Sequence, residues 1–258
     1  MNGIRLLTRA DDAGMNTTAN QAIRAAARQG IVRNVSVLAC GPAVKDAVEV
    51  LGDLAGTVDF GFHVCLTAEW ENLRWGPVSE KASVASILRA DGTLPFTCEE
   101  LAGLSPDPDN MMAEIGAQYE YLCSLGVTPS YLDEHMGVGA AVGLTDRLEQ
   151  FAREKGLVYN RGLIASGAVK PVPGWNGPAE HPGTELADAL AEAGPGTYLV
   201  VGHPAFKTPE MERTHLPGRP TGEAMIARNR ERRMFADIEI VDYCDNVDVE
   251  LLRYSSFA

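Results

Sequence analysis

The chain has 258 residues, 45% hydrophobic and 22% charged, a composition ordinary for a soluble globular protein and a length common for one (β/α) barrel. Its formal net charge is −13 with no Lys/Arg cluster to break the acidity, which argues against a nucleic-acid partner and against an anionic membrane surface. Five scattered cysteines (Cys40, Cys65, Cys98, Cys123, Cys244) lack Cys-x-x-Cys spacing, which argues against a disulfide frame or a cysteine zinc site and for a reducing compartment. No apolar run reaches the ~18 residues of a membrane span, and the N-terminus enters a strand without a signal-peptide core, so the expected location is the cytoplasm.

The first predicted element is a buried strand over 4–14, an apolar run that delivers Asp11 and Asp12 to its C-terminal end before Ala13-Gly14 turns the chain. A helix over 16–29 follows, capped by Asn16 or Thr17 and closed at Gly30. A strand over 34–39, a helix over 43–51 and a strand over 58–64 continue the alternation, with His63 near the end of the third strand. Alternating strands and helices predict parallel pairing through right-handed crossovers. Residues 67–96 lose the pattern and form a long loop containing Trp70 and Trp75, a length usual for a functional loop or lid. Beyond it the spacing predicts a helix over 111–125, a strand over 130–135 ending at His135, a helix over 145–155 and a strand over 157–164. A Gly/Pro-rich loop over 165–182, a helix over 184–193, a strand over 198–203 ending at His203, a basic helix over 224–236 and a last strand over 249–254 complete the chain. No repeat or linker interrupts the series, and one domain is expected over 1–258.

Three of the five histidines, His63, His135 and His203, thus stand at strand ends, as Asp11 and Asp12 do on the first strand. In a parallel barrel all such ends share one face, where five side chains distant in sequence can converge. A single histidine in that position is commonly a hydrogen-bonding residue; three with a double Asp favour a metal site. His181 and His215 lie in Pro-containing loops and read as surface residues. Two imidazoles and one carboxylate leave positions open on an ion for water and substrate. A second carboxylate can take a proton from water whose pKa the ion lowers towards ~7, and a histidine across the site can protonate a leaving group. That division of labour suits hydrolysis of an amide or ester.

At these residues the chain resembles the YdjC-like carbohydrate deacetylases, which include chitooligosaccharide deacetylases and hopanoid-associated members. The likeness runs nearly end to end. Ala10-Asp11-Asp12-Ala13-Gly14 is similar to the family's ADDFG strand end, with Asn20 on the helix that follows. Residues 36–42 resemble its second strand and Pro turn, residues 61–67 its G-hydrophobic-H-x-x-L-T motif, and Asp133-Glu134-His135 its D-S-H motif. Residues 202–206 resemble its H-P-A/G segment, and Arg228-x-x-Glu231 its late R-x-x-E helix. The resemblance implies a distorted (β/α), TIM-like barrel and one divalent ion, magnesium or zinc, held by Asp12, His63 and His135. It implies Asp11 as catalytic base, His203 as general acid or oxyanion partner, and Asp133 as the residue orienting a histidine ligand. Exchange of roles between Asp11 and Asp12 stays open.

The chain departs from the family at three places. Arg9 stands where an Asn is usual, Ala13 where a Phe is usual, and Met136-Gly137-Val138-Gly139 follows His135 where chitooligosaccharide enzymes have further histidines. Arg9 favours ionised carboxylates if it points inward, and covers the barrel wall if it points outward. Trp70 and Trp75 either stack on a sugar face or anchor the loop. Arg228 is a candidate substrate contact, although a structural pair with Glu231, one helical turn away, is the simpler reading. The expected function is removal of acetyl groups from N-acetylated sugars by a metal-dependent hydrolase. A barrel hydrolase of another ester, amide or phosphoester, and a non-catalytic sugar-binding relative, are the alternatives; a homodimer is compatible with any of them.

Overall fold

The computed structural model describes residues 3–258. Its strands are β1 (Ile4–Ala13), β2 (Asn34–Val37), β3 (Asp59–Val64), β4 (Tyr131–Glu134), β5 (Val158–Tyr159), β6 (Lys170–Pro171), β7 (Gly196–Gly202) and β8 (Glu250–Leu252). All pairings are parallel, in the order β5-β4-β3-β2-β1-β7-β6, with β8 also on β1. The sheet curls into the TIM-like α/β architecture that the alternation predicts.

β1 is the axis of this sheet, and every residue in it except Arg5 is buried. A strand covered on both faces reads as a continuous apolar run, which explains Ile4-Arg5-Leu6-Leu7. β7 takes one edge of β1, from Ile4↔Gly196 to Ala10↔Gly202. The other edge is divided: β8 lies against residues 5–7 and β2 against residues 9–13. Asn34 joins the two shorter strands. Its Nδ2 donates to the carbonyls of Thr8 (2.8 Å) and Leu252 (3.0 Å), and its Oδ1 accepts from the Tyr254 amide (2.9 Å).

The inside of the curl is marked by contacts between strands that are not neighbours. Ser36 on β2 bonds the Tyr131 hydroxyl on β4 at 2.9 Å, and Tyr131 stacks on Tyr254 with ring centroids 3.8 Å apart. Arg9 on β1 reaches Asp133 on β4 at 3.2 Å. Gly61 on β3 makes room for this layer, since a Cβ there would lie 2.2 Å from the Tyr131 ring.

Helices cover the outside. The helix Thr17–Gln29 is capped by Asn16, whose side chain accepts from the Ala19 amide, and buries Ala19, Ile23 and Ala26 at helical spacing. The helix Thr145–Lys155 has its predicted bounds and ends at Gly156 in the left-handed conformation.

Two local expectations are corrected. The strand expected over 157–164 is only two residues long, and the chain turns into the helix Asn160–Ala165. There the Asn160 side chain accepts from the Tyr254 hydroxyl (2.6 Å) and Arg161 grips both Glu134 oxygens (2.9 and 3.0 Å); a strand would send these neighbours to opposite faces. The loop expected over 165–182 contains β6, which pairs with β7 at Lys170↔Tyr198. The helices Pro209–Arg213, capped by Thr208 with Pro209 in its first turn, and Ile238–Asn246 were not expected. The second is rich in β-branched residues and buries only Ile240 and Cys244, four apart.

Candidate metal centre and active site

The Asp pair sits on a defect in β1. Between Ala10↔Val35 and Ala13↔Val37 the first strand spends three steps against two in β2, so one extra residue bulges out. Asp12 takes a left-handed backbone there, with φ 66°, a conformation costly for a residue with a side chain and common at functional sites. In a regular strand Asp11 and Asp12 would face opposite ways. With the bulge, both come within reach of His63: Asp12 Oδ1 lies 3.5 Å from its Nε2, and Asp11, His63 and Asp133 place donor atoms within 4.8 Å of one another. Asn20 secures the turn behind the pair by accepting from the Gly14 amide (2.7 Å) and donating to Asp46 (2.6 Å).

His63 and His135 arrive on adjacent strands, β3 and the end of β4. Asp12 Oδ1, His63 Nε2 and His135 Nδ1 converge: Asp12 Oδ1 is 3.1 Å from His135 Nδ1, and all three atoms fall within 4.8 Å of one another. Asp12 Oδ1 and His63 Nε2 are buried and have no hydrogen-bond partner. Two orphaned buried acceptors beside a third nitrogen form a donor set of the kind a divalent cation satisfies. The remaining atom of each residue is engaged. His63 Nδ1 meets Asp133 Oδ2 at 2.8 Å, His135 Nε2 meets Glu69 Oε2 at 2.9 Å, and Asp12 Oδ2 accepts from Arg228 at 2.7 Å. Carboxylates behind imidazoles fix ring orientation and tautomer, as at metal sites generally.

Charge pairing dominates the electrostatics. Burial alone would raise Asp12, but Arg228 and His135 hold its carboxyl well below the usual range. Asp11 is lowered in the same way, chiefly by Arg9 against the cost of burial. Burial pulls His63 down, yet Asp133 and Asp12 push it up to about 10; His135 is likewise raised, by Glu69 among others. His203 lies across the site, where Glu231 bonds its Nδ1 (3.1 Å) and outweighs desolvation to raise it.

The cavity above these groups is about 420 Å³. It is lined by Asp11, Asp12, His63, His135 and His203, and Trp70, Met136 and Leu216 supply apolar surface. Trp70 has the Arg228 guanidinium over its ring at 4.9 Å and lines this cavity. Trp75 does not line it. Buried and donating through Nε1 to the Thr67 carbonyl at 3.0 Å, Trp75 anchors the loop, the other of the two roles open to it. Arg228 and Glu231 do not form the structural pair expected from their spacing; Arg228 binds Asp12 and Glu231 binds His203. Arg9 points inward.

Sequence reasoning missed Glu69. It follows His63 by six residues in an irregular segment, where no periodicity tells a carboxylate aimed inward from one in solvent. Tyr254, which bonds Arg9 from beyond the last strand, left no signal either.

The family model described as "YdjC-like protein" matches residues 5–246. The chain is 22% identical to a carbohydrate deacetylase of Thermoanaerobacter pseudethanolicus, over 97% of this chain and 98% of that protein. It is 27% identical to a chitooligosaccharide deacetylase of Salmonella typhimurium, over 78% of this chain and 81% of that one. A crystal structure from Enterococcus faecalis, of a protein named as a candidate for cellobiose-phosphate cleavage, superposes over 99% of both chains with a TM-score of 0.78 at 18% identity, a likeness of fold.

Proposed function

The chain belongs to the YdjC-like protein family, and from that membership and the site's geometry we propose that it is a metal-dependent deacetylase of N-acetylated sugars. The observation that carries the proposal is the convergence of Asp12 Oδ1, His63 Nε2 and His135 Nδ1, two of them buried without a partner. The names of the two deacetylase relatives supply the substrate class.

In this reading Asp12, His63 and His135 hold one divalent ion. Such an ion polarises an amide carbonyl and acidifies water for attack at neutral pH. Imidazole-rich ligation suits zinc; magnesium prefers oxygen donors. Asp11, which lines the cavity and lies outside the three-atom set, accepts the proton of the attacking water. Arg228 occupies Asp12 Oδ2 and leaves Oδ1 as the ligand atom, which supports different roles for the two neighbours. His203, with Nδ1 committed to Glu231, presents its other nitrogen to the leaving amine as general acid. Trp70 offers an aromatic face to a sugar ring. A single domain over 1–258 suffices for all of these parts.

The test is acetate release from N-acetylated chito-oligosaccharides by two variants. Asp11→Asn is expected to keep the ion and lose turnover by about 10²–10⁴-fold, the usual contribution of a general base. His63→Ala is expected to lose both ion and turnover. Full turnover in both variants would sink the proposal.

A further inference from the structure

Arg9 is buried, 6% exposed, and every nitrogen of its guanidinium has a partner. Nε donates to Asp11 Oδ1 at 2.7 Å and Nη2 to Asp11 Oδ2 at 2.9 Å, a two-pronged grip that fixes the plane of the carboxylate. Nη2 also lies 3.2 Å from Asp133 Oδ2, the oxygen that meets His63 Nδ1. Nη1 donates to the Tyr254 hydroxyl at 3.0 Å, and that hydroxyl in turn donates to Asn160 at 2.6 Å. One planar group therefore ties Asp11 on β1 to the carboxylate behind His63 on β4, two strands that do not pair. Arg9 does not line the 420 Å³ cavity, so its influence passes through Asp11 and Asp133.

We propose that Arg9 is a positioning residue that clamps Asp11 and, through Asp133, the His63 ring into one fixed geometry. The proposal rests on the assignment of Asp11 as base and His63 as ligand. Lysine cannot replace this group, because a single ammonium grips neither both Asp11 oxygens nor Asp133 in the same plane. A displacement of the base by about 1 Å is enough to cost on the order of 100-fold in rate. The loss belongs in kcat, since the substrate does not touch Arg9. A separate cavity of about 180 Å³ reaches Arg9 beside Asn160, Arg161 and Ile164, and offers a small cation a route to the place the side chain would vacate.

Four forms are compared in acetate release and metal stoichiometry: wild type, Arg9→Ala, Arg9→Lys and Tyr254→Phe. The last removes only one tether of the guanidinium and serves if Arg9→Ala fails to fold. Expected are a kcat loss of about 100-fold for Arg9→Ala, about 10-fold or more for Arg9→Lys and a few-fold for Tyr254→Phe, each with KM within threefold of wild type. Added guanidinium ion is expected to restore at least tenfold of the Arg9→Ala loss and to leave the other forms unchanged. One equivalent of metal is expected throughout at saturating concentration, because Arg9 touches none of the three ligand atoms and a loosened Asp133 weakens affinity without removing a ligand. Unchanged kcat in Arg9→Lys and Tyr254→Phe overturns the proposal, as does loss of metal at saturating concentration in a folded variant or a folded Arg9→Ala that guanidinium does not rescue. Absence of acetate release by wild type with any divalent ion counts instead against the deacetylase reading, and metal stoichiometry separates the two failures.

Discussion

Glu69 and Asp133 stand in equivalent places, each behind one of the two imidazoles that face Asp12. If they orient those rings toward an ion, Glu69→Ala and Asp133→Ala should each weaken metal binding by about 10–100-fold, as outer partners at metal sites do. Competition with a coloured chelator measures this, and wild-type affinity in both variants would remove the orienting role. The same carboxylates set the proton balance. They raise His135 well above its ordinary range and lift His63 to about 10, so in the metal-free protein a proton competes with a cation for both rings. A metal binds only the unprotonated nitrogen. Affinity should therefore rise with pH towards about 10, where the His63 ring loses its extra proton, and binding at pH 7 should release protons. Calorimetry in buffers of different ionisation enthalpy counts them; no release would contradict the placement of the ion on both rings. Asp11, Asp12, His63, His135 and His203 were legible in sequence because each ends or follows a strand, a position that hydrophobic patterning fixes. Glu69 and the direction of Arg9 were not, since their roles depend on partners 66 and 124 residues away or on side-chain orientation within a strand.

At the scale of elements, the bulge in β1 and the small residue in β3 shape the site. Gly61 faces Tyr131, which is backed by Tyr254, so neither ring can move aside easily. Gly61→Ala should destabilise the fold by about 1–3 kcal/mol through overpacking, seen as a lower urea midpoint; an unchanged midpoint would show that the layer yields. The long loop over 67–96 is held by specific groups rather than regular structure. Glu114, buried on the helix Pro108–Ser124, accepts from the amides of Val78 (2.8 Å) and Ser79 (2.9 Å), and Trp75 pins the other side to Thr67. Strands β1, β2, β3, β4 and β7 were legible because each carries apolar residues bounded by turns, with nearly every residue buried in β1 to β4 and alternate residues buried in β7. β5 and β6 were not: two residues each are too short for any periodic signal, and their pairing is decided by neighbours across the sheet. The helix Ile238–Asn246 packs on the helix Pro182–Ala193, and that tertiary contact overrides a composition rich in β-branched residues.

For the whole molecule, charge and site point the same way. A net charge of −13 disfavours approach of anionic substrates, and the cavity's apolar wall suits a neutral sugar. Among the described residues no helix is long and apolar enough to cross a membrane. The curled parallel sheet gathers residues from four strand ends, the loop after β3 and a late helix at one mouth, which is the general advantage of this architecture for catalysis. In the proposed function the Asp12–His63–His135 cluster holds a divalent ion for sugar deacetylation. The most direct measurement is acetate release from an N-acetylated chito-oligosaccharide by wild-type protein stripped with a chelator and then given one equivalent of zinc or magnesium. Loss of turnover on stripping and recovery at a one-to-one ratio are predicted; undiminished acetate release by the stripped protein would contradict a metal-dependent reaction.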